Sequence, residues 1–451
     1  MEVKTYLTEN EHLLRKHNRV ISAVNKALKE NASYGRELDT YKKTSLAIML
    51  ETVSHAFDVR AKLVEAAGTQ VGDIAKKNDY LNLIAAVMPT LVAEDLVNVQ
   101  PLKQKAGVVY YLKNVYDDNK GGIQRGDVIS SIERVWPAAE KLDAAINYSS
   151  EVIEDEAIDL ADGEAKLSWT PVVPGTVKIG SLTDDGQGHI GGGTIDYETG
   201  IIKLTSEEKA VSYNMDLYTA PVRVPRIKTI ITDLTVTARP RKLATAFSMD
   251  AAFDVQMTQN IDLQSIIQGA ATDEIRSEID GEILNDLATS GTTMNISWNM
   301  PVPFGISRFE HYESFYQTIV EGANKIYNKT RRITGNFVIV GENAANVLET
   351  HSKFKAAASL NEAGPHVAGT LNGKYLIVKN PYFGSDQFVI GFNGDTPFDG
   401  GYVYAPYMPI TSTQFIMGEN FLGTQGYATS YAKKLVSADF YVNGTITHVT
   451  D

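Results

Sequence analysis

The chain has 451 residues, 43% hydrophobic and 22% charged, which suits a protein folding around a core and is long enough for two or three domains of about 100–200 residues. A formal net charge of −13 counts against a surface built to grip nucleic acid, and with no cysteine there can be no disulfide, thiolate metal site or cysteine nucleophile. The opening "MEVKTYLTENEHLLRKHNRV" lacks the apolar centre of a signal peptide, and no apolar run nears the roughly 20 residues of a membrane span. A soluble, non-secreted protein with no membrane partner is therefore expected.

Residues 11–28 and 44–67 carry apolar side chains at helical spacing. In the second, Leu46, Leu50, Val53, Phe57 and Val64 make one stripe, and the polar "KENASYGRELDTYKK" links the two. Residues 1–70 read as an extended helical arm without a core of its own. From Tyr80, "YLNLIAAVMPTLVAEDLVNVQPL" predicts a buried helix interrupted at Pro89, and "GVVYYLKNVYDD" a strand.

Residues 165–220 change character, with short apolar runs separated by Gly and Asp turns and bracketed by prolines. "TIDYETGIIKL" predicts a hairpin turning near Glu198–Gly200, with Gly200 free to take a positive φ. This is a small β module inserted in a larger domain, which resumes with the long strand "IKTIITDLTVTA".

Next comes "IDLQSIIQGAATDEIRSEIDGEILNDLA", a helix spanning roughly 40 Å. Its apolar positions include Ile266, Ala270, Ala271, Ile275, Ile279, Ile283 and Leu287. Asp273, Glu274, Glu278, Asp280, Glu282 and Asp286 cover the rest, answered within the helix only by Arg276. Gly269 and Gly281 each weaken it by about 1 kcal/mol relative to Ala. Such a helix has one committed side and one side left for water or a partner. The remaining segments alternate helix ("RFEHYESFYQTIVEGANKIYNKTRR") with strands ("NFVIV", "YLIVK", "DQFVIGF", "GGYVYAPYMPI") and show no repeated βαβ pattern. The class expected is α+β.

Catalytic spacing is sparse. The eight histidines are scattered with no HExxH pair, and His311 reads as a surface or satisfied core residue. "GHIGGGTID" lacks the Lys-Ser/Thr of a phosphate loop and reads as a turn, and "TDDGQGH" lacks the alternating carboxylates of a calcium loop. The helix acids line an exterior where a glycosidase needs a pocket, and "RPRK" reads as a local partner for acidic neighbours. No enzyme, catalytic residue, metal or cofactor emerges.

The order of segments resembles the major capsid proteins of T-even-like tailed phages. "VMPTLVAEDLVNVQPLKQKAGVVYYLKNVY" is similar to that family's entry segment. "RKLATAFSMDAAFDVQMTQNIDLQSIIQGAATDEIRSEIDGEILNDL" is similar to its basic return strand and long acidic helix. "NKTRRITGNFVIVGENAANVLE", "AGTLNGKYLIVKNPYFGSDQFVIGFNG" and "FDGGYVYAPYMPI" resemble its Gly-Asn-Phe element and closing strands, to the Ala-Pro-Tyr.

The resemblance implies the Hong Kong 97-type capsid fold. It assigns an N-terminal helical arm (1–79), the start of a peripheral domain and of an extended loop (80–164), an inserted β module (165–222), a loop return with the spine helix (223–297), an axial domain (298–426) and a closing strand (427–451). Ile266, Ala270, Ile275, Ile279, Ile283 and Leu287 become the spine stripe. Asp273, Glu274 and Glu278 become candidates for an acidic inner face that repels packaged DNA, which is a partner by proximity only. The partners implied are the chain itself, in hexamers, pentamers or beside a vertex protein, together with portal, scaffold, assembly protease and decoration proteins. The place implied is the virion, with assembly in the host cytoplasm. The family's protease cuts after Glu in Leu/Ile-x-Glu, a pattern met at Glu9 and Glu30, and equally at Leu360-Asn361-Glu362. Alternatives are a pentameric vertex paralogue, a nanocompartment shell, or a carbohydrate-active or glycan-binding protein using Trp169, Tyr197, Tyr213 and Tyr218.

Overall fold

The computed structural model describes residues 3–30, 38–66, 91–118, 125–126, 128, 150–158, 163–204, 210–217, 226–259, 263–290, 294–330, 333–357, 364–394, 396, 398–413, 416–417 and 422–449. The chain divides into two compact units, Met1–Tyr111 with Ile231–Asp451, and an insert, Leu112–Ile230. Helices and strands mix in the first unit, which is the α+β class expected.

Two sheets organise that unit. In one, strands Asn98–Val99, Tyr402–Ser412, Leu422–Leu435 and Arg239–Ser248 lie in that order, with Ile416–Met417 also on Leu422–Leu435. The other runs Asn295–Asn299, Tyr441–Thr447, Gln387–Gly391, Phe337–Val340, Tyr375–Lys379, His366–Leu371 and Phe354–Ala356. Its central strand "FVIV" is buried throughout. Side chains alternate across a strand, so Phe337 and Ile339 join the cluster that holds the long helix. Val338 and Val340 join the cluster beneath the helix Phe315–Thr330. Coverage on both faces explains a strand with no polar position. The second of these helices comes close at Gly322, where a Cβ would lie 2.3 Å from Ile390.

The long helix, Leu263–Ser290, lies against Arg239–Ser248 and Leu422–Leu435 of one sheet and Gln387–Gly391 and Tyr441–Thr447 of the other. Gly281 has its reason here: a Cβ would sit 2.8 Å from the Tyr382 ring. Gly269 meets nothing within 4 Å.

The insert has two four-stranded sheets, Ser150–Ala157/Ala210–Asp216/Lys178–Ile179/Leu182–Thr183 and Glu164–Lys166/Ile201–Lys203/Gly193–Asp196/His189–Ile190. Ile179 and Tyr213 from the first and Ile195 and Ile202 from the second share one core. The predicted hairpin is present, with Asp196 paired to Ile201 and Gly200 at φ +70°. Strand Ser150–Ala157 lies upstream of the span read as the module; its sequence "SEVIEDEA" carries no alternating apolar signal.

Helices α1 (Val3–Glu30) and α2 (Thr40–Ala66) depart from the extended arm read from the sequence. They pack on each other, and α2 packs on the strand Tyr402–Ser412. Leu13, Ile21 and Val24 of α1 and Leu46, Leu50 and Val53 of α2 are buried in the same cluster as the long helix. Glu51 holds Lys16 at 2.8 Å and His17 at 2.9 Å across the pair, and Lys42 reaches Asp95 at 2.6 Å. Phe57, Val64 and the helix predicted from Tyr80 to Pro89 lie outside the described side chains. Amphipathic spacing shows two helices but not what their stripes meet, and the burial of α1 ties residues 3–30 to the fold of the chain itself.

Leu50→Ala is therefore expected to lower the unfolding free energy of the subunit by about 2–5 kcal/mol, the range for a fully buried leucine. Denaturant titration of the unassembled protein reads this; an unchanged midpoint would return α2 to the status of a free arm.

Candidate functional site

The long helix is the element in which composition and geometry diverge most, and its acids divide three ways. Ala271, Ile275, Ile279, Ile283 and Leu287 are buried against the sheets, as is Leu284. The stripe does not extend to the start of the helix. Ile266 is 50% exposed and Ala270 is exposed, so these two positions correct the sequence reading.

The first group of acids faces inward. Glu282 takes Arg241 at 2.9 Å and Lys433 at 2.7 Å, and Tyr431 donates its hydroxyl to the same carboxylate. Asp286 takes Lys433 at 2.7 Å and the Tyr402 hydroxyl at 2.6 Å. The Arg241 guanidinium lies 4.7 Å from the centre of the Tyr431 ring. Burial pushes the Glu282 carboxyl up, but Lys433, Tyr431 and Arg241 outweigh it and hold it below its ordinary value. So Arg276 is not the acids' only reply. Arg241, from the "RPRK" cluster, answers from the sheet as that cluster's reading expected.

Asp280 forms the second group. It is 1% exposed and accepts the amides of Ala93 at 2.9 Å and Val92 at 3.2 Å, tying the long helix to the short helix Ala93–Leu96. Burial raises its pKa to about 7, against the lowering effect of those two amides and of Arg276. The third group, Asp273, Glu274 and Glu278, is exposed to solvent. Asp273 lies 3.9 Å from Arg276 and Glu278 lies 3.9 Å from Arg241, distances too long for strong pairing.

Glu9 sits inside α1, a turn below His12, whose Nδ1 meets the Glu9 carbonyl at 3.1 Å. Glu30 closes α1, its side chain lying outside the described residues, as do residues 360–362. Helical backbone must unwind before a protease can hold it extended. In "TDDGQGH", Asp184 accepts from the Gly175 and Gly186 amides and the Tyr197 hydroxyl, and Asp185 from the Gln187 and His189 amides. These contacts hold the loop in shape. Tyr213 is buried and bonds Glu156, Trp169 is half-buried with its amide on the Tyr213 hydroxyl, and Tyr218 lies outside the described residues. His311 meets the Asn299 carbonyl at 2.8 Å and stacks on Trp298 at 4.9 Å. A cavity of about 550 Å³ beside Asn295 and Gln387 has its Lys325 held by Glu321 at 3.4 Å and the Asn295 carbonyl at 3.1 Å.

Exposed apolar surface is what residue-by-residue motif reading missed. Strands Ala106–Tyr116 and Ile227–Thr237 pair as a two-stranded ribbon. It shows Tyr110, Leu112, Ile227, Ile230 and Ile231 to solvent. Two strands have nothing to bury a second face against. Helix Met249–Gln259 likewise shows Phe253 and Met257, the latter 83% exposed.

The family described as major capsid protein Gp23 matches residues 76–451. The major capsid protein of Enterobacteria phage T4 is 23% identical over 418 residues, covering 84% of this chain and 77% of its own length. That of Vibrio phage KVP40 is 23% identical over 391 residues, covering 78% and 74%. Among solved structures, a Mycobacterium phage Bobi chain superposes with a TM-score of 0.37 at 8% identity, covering 80% of this chain and 90% of that one. The capsid of Myoviridae phage XM1 gives 0.33 at 9% identity, covering 50% and 79%.

Asp280 supplies a pH test. Its folded pKa, about 7, exceeds the ordinary 3.8, so the folded state binds the proton more tightly, and the stability this adds is lost as pH rises from about 4 to about 7. Between pH 5 and pH 8 the parent is expected to lose about 2–3 kcal/mol relative to Asp280→Asn. Unfolding free energies measured at both pH values check it; parallel pH profiles for the two proteins count against a proton on Asp280.

Proposed function

The chain belongs to the Gp23 major capsid protein family, and on that premise we propose how its surfaces serve the head shell of a tailed phage. Its function is structural: it assembles with itself to form the virion capsid. The match over residues 76–451 carries this conclusion, and the relatives it meets are major capsid proteins, so the vertex, nanocompartment and carbohydrate readings gain no support. The mixed helix and sheet architecture fits the Hong Kong 97-type fold.

The long helix acts as the spine of the subunit, its buried stripe of Ala271 to Leu287 binding two sheets and its other side left for the shell. The apolar ribbon of 106–116 and 227–237 reaches a neighbouring subunit, where Ile227, Ile230 and Tyr110 find the cover they lack in one copy. Residues 298–426 supply the axial part of a capsomer, in hexamers and in contact with a vertex protein. Portal, scaffold, assembly protease and decoration proteins complete the partners, and trimming at Glu9 or Glu30 requires α1 to open first. Electron microscopy of the purified protein tests the core of this reading: shells, hexamers or sheets are expected, and a stable monomer in all conditions would end it.

Asp273, Glu274 and Glu278 line the face turned toward packaged DNA. Like charges repel over a Debye length of about 8 Å, so exposed acids keep the duplex from sticking as it enters. Heads carrying Asp273→Asn, Glu274→Gln and Glu278→Gln together are expected to assemble but to package less DNA, read as DNA content per head. Unchanged content sets this role aside.

A further inference from the structure

Four large apolar side chains stand within eight residues, three on a loop and the fourth at the start of the helix Arg308–Glu313: Val302, Phe304, Ile306 and Phe309 are 38%, 108%, 47% and 58% exposed. Scattered exposed apolar residues need no explanation, but a run this dense leaves a free subunit with surface that water disfavours.

The loop is held in shape. Met300 donates its amide to the Thr447 carbonyl at 2.9 Å, and Ile306 to that of Pro303 at 3.3 Å. Gly305 takes φ +90°, a conformation that favours glycine, and Pro301 and Pro303, both ahead of Phe304, fix the backbone around Val302. Ser307 and Glu310 close a capping box on the helix Arg308–Glu313. Side chains displayed on so fixed a backbone lose little freedom on docking.

Charge and area indicate what docks. With −13 on every chain, two copies repel wherever carboxylates face each other. Residues 300–309 carry no carboxylate, and their one charge is Arg308, whose Nε bonds the Tyr312 hydroxyl at 2.9 Å. An acidic second copy can approach this patch without repulsion. The exposed apolar area is on the order of 400 Å², given that a whole Phe contributes about 150–250 Å². That is about half of the roughly 800 Å² per partner in a stable pairwise interface. It is too little for a free dimer and enough for one contact among several in a closed shell.

We propose that residues 302–309 are a self-association contact, with Phe304 as the anchor docking on a second copy of this chain in the assembled shell. This rests on the shell-subunit reading above.

Because the chain has no cysteine, Phe304→Cys places a single thiol in it. That thiol is expected to react with maleimide at least about ten-fold more slowly in shells than in subunits released from them. Photoreactive benzoylphenylalanine at position 304 is expected to capture a peptide of this same chain. Phe304→Glu is expected to cut shell yield about ten-fold or more while the melting temperature of the subunit stays unchanged. Equal reactivity, capture of another protein, or normal yield from Phe304→Glu overturns the proposal. The two readings fail separately: a parent chain that forms no shells refutes the shell reading, whereas parent shells with an accessible thiol refute only this contact.

Discussion

Everything else in the first unit depends on how one side of the long helix is held. Ile279 and Ile283 are fully buried, and each such side chain contributes about 1.5–3 kcal/mol by leaving water. That term sets no register, since neighbouring isoleucines are interchangeable under a small slide. The charged clamp does. Glu282 and Asp286 share Lys433, and Arg241 comes from a different strand, so a shift of one turn strands a carboxylate under the helix. Removing one partner of such a cluster is costly because the other is left charged and half-buried.

The same helix shows what a single sequence reveals. The isoleucine run is legible because its spacing is regular. Steps of four residues advance about 40° beyond a full turn, so the stripe from Ala271 to Leu287 winds about 160° around the helix. A stripe that winds needs cover over a wide arc, which is why Ser277, Asp280 and Leu284 are buried beside it. Upstream, Ile266 and Ala270 continue the composition but not the burial, and both are exposed. Which acids are wet could not be read, since the cations that answer Glu282 lie at positions 241 and 433. The glycine at 281 is likewise explained only by Tyr382, about a hundred residues away in sequence.

Elsewhere the split is the same: local signals are visible and their destinations are not. The hairpin at Gly200 is a matter of five residues and a positive φ, and it was legible. The strand Ser150–Ala157 was not, because an edge strand whose exposed positions carry Glu154 and Asp155 has no apolar alternation to read. The helices α1 and α2 announced themselves by period, but period does not distinguish a stripe awaiting a neighbour from one already covered by Tyr402–Ser412.

What stays uncovered then gains meaning from what is covered. The insert closes its own core and, among the described residues between 150 and 217, shows no large apolar side chain to solvent. Exposed apolar residues gather instead on the ribbon, on the helix Met249–Gln259 and on the loop at Phe304. The patch at Phe304 alone falls short of a pairwise interface, and with no cysteine in the chain none of the three can be locked by a disulfide. Weak contacts of this kind become stable only when several form at once and the arrangement closes on itself, so that losing one does not release the subunit. A chain that commits one side of its longest helix to its own sheets and leaves separate apolar patches bare is suited to that outcome, because several modest contacts made together hold what one would release.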